Sequence, residues 1–452
     1  MATTESERVA HVWRRLGFGP APGDVAAGVA AGGAAAVVED LLARPATDAA
    51  AWQWPAEQGN KDDSRRLTTR MFELWATGPS AVQERVSWML CGLLVTGLNG
   101  SVLYRDMKEH QSRLRAWPAT GSYKALLQEV ANTAAMQKYL NGTFSAPPHA
   151  NENLAREVLE LFSLGVTSPR TGARNYTETD VKEIARALTG YRMDYTTKSV
   201  FFDPAKWDRG TKAFLGGDRG AAKLPEVIDA IARHDSFKYF VPRRIYRELL
   251  GFDPSARALD EMAAVWGPSG DLSQLISHVA RRPEFLAAAT IANRVKSPVE
   301  LLVSALRVLG KKDLSAASMA YLSGILRQHP LVPPDVSGWE NSWLHPGHVV
   351  MWSHVSYWLC WSDKGPAKDG TADATPVNQR NPFVRKLFAD ATRATAADMA
   401  LQLAGLHAVS PDTRSAIDAF ARSAAWTGEP WTYERACAVM QLVFNSPEFL
   451  VG

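Results

Sequence analysis

A mostly α-helical fold, one large domain carrying a single small β-hairpin, is what this sequence predicts. Three observations lead there. Apolar residues recur at helical spacing over roughly a dozen segments of the chain. The breaks between them carry Gly, Pro or Asn, as helix–helix connections do. Only one stretch, 199–216, alternates like strands, around a Trp207-Asp208-Arg209-Gly210 turn.

Taken in order, residues 25–42 (VAAGVAAGGAAAVVEDLL) read as a short amphipathic helix. Further helices are expected over 81–98, 122–140, 153–164, 178–189, 224–233, 238–250 and 256–265. Others follow over 271–280, 297–309, 314–327, 347–361, 396–407 and 432–445. Polar stretches 44–65, 141–152 and 362–383 are expected loops, the last a mobile insertion or linker. Too little chain follows it for an independent domain, so residues 1–452 read as one helical domain. Pro-Glu-Phe-Leu closes a helix twice, at Pro283 and at Pro447, either a repeated helical unit or a coincidence.

Composition excludes several classes. Fifty basic and 47 acidic side chains leave a net charge of +3, too little for a nucleic-acid field or a polybasic membrane anchor. Cys91, Cys360 and Cys437 are scattered, which argues against a zinc site or a disulfide framework. No signal-like or membrane-spanning run is expected, and the protein reads as cytoplasmic. Among 15 tryptophans, Trp339, Trp343, Trp352, Trp358 and Trp361 crowd together. They suit core packing, or a wall for a flat ligand.

The densest polar cluster is NENLAREVLELFSLGV, 151–166. Asn151 or Asn153 can cap this helix and Gly165 can close it. At about 100° per residue, Leu154, Ala155, Val158, Leu161 and Phe162 share one arc. Asn153, Arg156, Glu157 and Glu160 share the other. The next helix opens with Thr177 and Asp180 in a capping-box pattern. Side-by-side packing of the two could bring Tyr176, Asp180 or Arg186 to the first polar arc.

These two segments resemble the signature of the domain of unknown function 1800 family. The matches run through Asn151, Glu152, Asn153, Ala155, Arg156, Glu157 and Glu160, and again through Tyr176, Thr177, Asp180, Val181, Arg186 and Gly190. RRLGFGP (14–20), VKSPVELLVSALRVLG (295–310), VPPDVSGWEN (332–341) and the closing SPEFL look like further family landmarks. The resemblance implies a bacterial protein and carries no established activity. It also exposes departures. Where relatives carry Trp-His-x-His-Phe, this chain has Met89 and Cys91 in place of the histidines. Where they carry His-Asp-x-Gly-x-Lys, it has Trp207.

A carboxyl with a raised pKa beside one held ionised by arginine is a general acid/base arrangement. Glu157, Glu160 and Arg156 could supply it, and these three are the expected catalytic residues. Asn151, Asn153, Tyr176, Asp180, Arg186, Trp207 and Trp339 are then the expected substrate contacts. The scattered histidines, including His345 and His348, argue against a metal, and no cofactor is expected. The expected partner is a small molecule, sugar-like, aromatic or isoprenoid, acted on by a hydrolase, lyase or isomerase. The alternative is a non-catalytic binding or scaffold protein whose polar arc is a structural network.

Overall fold

The computed structural model describes residues 3–60, 62–310, 316–339, 343–361, 384, 391–423 and 433–452. The described chain is mostly α-helical, with two small two-stranded sheets. The expected insertion at 362–383 lies outside the described residues. One continuous set of buried apolar side chains runs from Val9 to Phe449.

The Glu5–Leu16 helix is among the most enclosed. Thr4 and Glu7 cap it reciprocally, and Val9, Val12, Trp13 and Leu16 are buried with the polar His11 and Arg15. The expected helix over 25–42 is two helices, Asp24–Ala30 and Ala34–Ala43, bent by 107°. Gly33 makes the bend: it sits at φ +89°, and Glu5 reaches in to accept from Ala34 N at 2.6 Å. Among the described residues no single helix is long and apolar enough to cross a membrane.

Several boundaries differ from the periodicity reading. The span 122–140 breaks at Thr133, whose hydroxyl caps a second helix, Ala134–Tyr139. The expected loop 44–65 contains a short helix, Ala49–Trp52, and the start of the Asp62–Thr77 helix. The Tyr104–Arg115 helix escapes a hydropathy reading because its inward face carries Asp106, His110, Gln111 and Arg115 beside Met107 and Leu114. The expected hairpin over 199–216 is corrected to two. Ser199–Phe202 pairs backwards with Tyr191–Asp194, and Ala213–Phe214 pairs with Gly217–Asp218. Alternation marks a strand but not its partner, and the Trp207–Gly210 stretch is the connection between hairpins.

The Pro-Glu-Phe-Leu echo has a structural counterpart. Both copies form one tight turn, at Pro283–Leu286 and Pro447–Leu450, with Phe285 and Phe449 buried. Each Phe carbonyl accepts from a buried basic side chain, His11 at 2.9 Å and Lys296 at 2.7 Å. The crowded tryptophans serve packing. Trp352 Nε1 donates to Phe444 O at 2.7 Å, and Trp361 Nε1 donates to Gln441 at 3.0 Å. Both bonds tie the Gly347–Trp361 helix to Tyr433–Phe444.

Candidate functional site

The polar arc forms on the Glu152–Glu160 helix. Asn151 caps it, accepting from Asn153 N at 2.8 Å, and its own N–H is fixed on Ser145 Oγ at 3.0 Å. Leu154, Ala155, Val158 and Leu159 go into the core, so Arg156, Glu157 and Glu160 face outward. Gly165 follows at φ +75°, where a Cβ would meet the Phe240 ring at 2.7 Å. Backbone conformation and space both demand glycine there.

The neighbouring Glu178–Ala187 helix lies alongside, and the partners differ from those expected. Arg156 does not pair with Glu157 or Glu160. Its guanidinium grips Glu178 with two bonds, of 2.8 and 3.1 Å, and reaches Glu152 at 3.2 Å. Tyr176 does arrive at the arc: its hydroxyl donates to Glu160 at 2.9 Å. Burial and that carboxylate push the Tyr176 phenol far above its usual range.

Glu157 stands apart. Its half-buried carboxyl makes no hydrogen bond or ion pair with any described residue. Burial, with the charge of Glu160 and a smaller push from Asp335, raises its pKa to about 7; Arg156 offsets this only in part. Tyr139 lies within electrostatic reach of Glu157 and Asp335, its own pKa raised mainly by burial. Asp335 belongs to the VPPDVSGWEN segment, so the fold joins two sequence landmarks here.

Other expected contacts are occupied with structure. Asp180 closes the helix cap by accepting from Thr177 N and Oγ1, both at 2.7 Å, and its second oxygen accepts from Leu215 N at 2.7 Å. Arg186 turns to the hairpin loop. It holds Asp208 at 2.8 and 3.2 Å and Glu183 at 2.8 Å. Trp207, half-buried, lies between the ammonium groups of Lys212 at 4.7 Å and Lys223 at 4.8 Å. Trp339 is 4% exposed and rests on Trp88 in the core, 5.3 Å between ring centres.

A groove of about 630 Å³ lies elsewhere, between the Ala256–Trp266 and Leu272–Ala280 helices. Arg257, Glu261, His278, Arg282 and Glu284 line it, none of them an expected site residue. Arg282 bonds Glu261 at 2.6 Å and Glu284 at 2.9 Å, so its charges are largely matched in pairs. Among the described residues no three His, Cys, Asp or Glu side chains are grouped to hold a metal ion.

A family model described as Protein of unknown function (DUF1800) matches residues 11–451. The chain belongs to this family. Neither the curated proteins nor the solved structures contain a match to this DUF1800 chain.

Proposed function

We propose that this DUF1800 chain is an enzyme that transfers protons on an uncharged small molecule, with Glu157 giving and taking the proton. One observation carries the reading: a half-buried carboxyl, free of described partners, with a pKa raised to about 7. Such a group is populated as acid and as base at neutral pH, as general catalysis requires. Glu160, oriented by Tyr176, and Asp335 add negative charge around it. That field repels anionic substrates and stabilises positive charge developing on carbon. A sugar-like, isoprenoid or aromatic substrate fits, as does hydrolase, lyase or isomerase chemistry. Arg156 is a positioning residue: its bonds to Glu178 hold the Glu152–Glu160 helix, which carries Glu157, against the Glu178–Ala187 helix. We place the protein in the cytoplasm, a reading that its three buried cysteines, each present as a thiol, support.

A carboxyl-carbon NMR titration of the glutamates, assigned with Glu157→Gln, tests the proton carrier. A midpoint near 7 for Glu157 is expected, matched by the pH dependence of turnover across a panel of glycosides, prenyl alcohols and aryl esters. A midpoint in the ordinary range of about 4 to 5 rules Glu157 out.

The scaffold reading also has an observation in its favour. The Arg156–Glu178 and Tyr176–Glu160 bonds both bridge the two signature helices. If these bonds are the purpose of the signature, Arg156→Met lowers the melting temperature and no member of the panel binds.

A further inference from the structure

Three landmarks that play no part at Glu157 meet in another place. Arg15 comes from RRLGFGP, Lys296 and Glu300 from VKSPVELLVSALRVLG, and Phe449 from SPEFL. The backbone brings them together: Val295 bridges Val451, and Gly452 N donates to Arg294 O at 2.9 Å. Arg85, from the Ala81–Leu93 helix, and Arg294 complete the group.

Glu300 is its acidic centre. Arg85 Nη2 lies 2.6 Å from Glu300 and 3.8 Å from Glu248. Arg294 grips both Glu300 oxygens, with one bond of 3.0 Å. Arg15 spends a single nitrogen, Nη2, on Thr290 O at 3.1 Å, on Gly452 O at 2.7 Å and on the Asn293 side chain. Lys296 donates to Phe449 O at 2.7 Å and sits 4.2 Å above that ring.

Three guanidinium groups and one ammonium crowd around the carboxylates of Glu300 and Glu248, and the Glu248 side chain is 52% exposed. Burying charge is costly. Arg15 is 0% and Arg85 1% exposed, yet Nε and Nη1 of each have no acceptor among the described residues. Buried donors seldom go unused. Arg85 stacks its face toward Phe18, 5.4 Å from the ring centre, which leaves its in-plane N–H groups for an acceptor. The half-exposed Glu248 and the 21%-exposed Arg294 side chain mark where the cluster meets the surface.

We propose that this cluster binds a phosphate group, with Arg15 and Arg85 as the buried donors and Arg294 at the entrance. A phosphate monoester carries roughly −1.5 to −2 at neutral pH, a charge that suits a site lined by several guanidinium groups. The flat guanidinium edge matches its oxygens. The phosphate is either inorganic phosphate or a phosphoryl group on a larger molecule. The site shares no residue with Glu157, so the two proposals stand or fall separately.

The full-length protein, dialysed into chloride buffer at constant ionic strength, is titrated with inorganic phosphate and with phenyl phosphate. Heat of binding and melting temperature are both recorded. Saturable binding of about one phosphate per chain is expected, with a melting temperature that rises as the logarithm of phosphate concentration. Arg85→Met should weaken binding at least about tenfold. If that variant does not fold, Arg294→Gln, on a partly exposed side chain, should fold and bind more weakly than the parent. Tighter binding of phenyl phosphate supports a carried phosphoryl group, and equal or weaker binding supports the free ion. No saturable heat with either compound, or a melting temperature that chloride and phosphate raise equally, overturns the proposal.

Discussion

Glu157 couples a single proton to the stability of the whole chain. In the unfolded chain a glutamic acid ionises near ~4.3, whereas in the fold Glu157 holds its proton to about 7. Between those values the folded chain keeps a proton that the unfolded chain has released, so stability falls as pH rises. This contribution is fully present below about pH 4 and is lost above about pH 7. Glu157→Gln removes the titrating group and keeps its shape. The variant is expected to melt with the parent near pH 4 and above it near pH 8, by on the order of 2 kcal/mol after allowance for partial exposure. Thermal melts at the two pH values measure this. A variant that melts below the parent at the higher pH means that the fold needs an ionised carboxylate here, and the proton-carrier reading is then lost.

The Glu178–Ala187 helix and the loop after the first hairpin act as one unit, and Arg186 is their joint. Its guanidinium spans Asp208 and Glu183, Asp208 N donates to Thr189 Oγ1 at 2.8 Å, and the buried Lys212 ammonium donates to Asp208 O. Lys212 has its pKa lowered, with burial the largest cause and the nearby Asp208 carboxylate opposing it. Arg186→Gln cuts the bridge while keeping a polar side chain. The loop should detach locally, with a cost of roughly 1 to 2 kcal/mol, since the pair is partly exposed. Limited trypsin digestion should then cleave faster at Arg209, in a chain that otherwise stays folded. Unchanged cleavage there would show that Trp207 and its lysines hold the loop without Arg186.

Across the whole molecule, the Glu300 cluster joins the first helix, the middle of the chain and its last described residues. Glu300 is nearly inaccessible, and Arg294 and Arg85 hold its pKa far below the carboxylate range despite burial. Removing one partner of a buried ion pair costs about 3 to 5 kcal/mol, because the other is left uncompensated. Glu300→Gln strands two arginines at once. Its unfolding free energy from urea titration should fall by that amount, with the first and last helices loosening together in hydrogen exchange. A loss under about 1 kcal/mol would mean that water already screens the cluster.

Read alone, the sequence settled what depends on neighbours within about four residues. It determined the mostly helical class, a cap at Asn151 or Asn153 and the Thr177–Asp180 capping box, the left-handed Gly165 and the outward arc of Arg156, Glu157 and Glu160. These follow from side-chain spacing and from free N–H groups at helix ends. Helices such as Tyr104–Arg115 stayed hidden because their buried faces are polar, and polar side chains stay buried only when distant partners satisfy them. Lys138 does so for Asp106 at 2.7 Å, and Glu84 for Arg115 at 2.6 Å. The tertiary structure alone decided which charges meet. It gave Arg156 to Glu178 rather than to Glu157, set Asp335 near Glu157, buried Trp339, and drew Arg15, Arg85 and Arg294 around Glu300. Electrostatic partnership depends on distance in space, and spacing along the chain carries no record of which remote segments the core will bring within a few ångströms of one another.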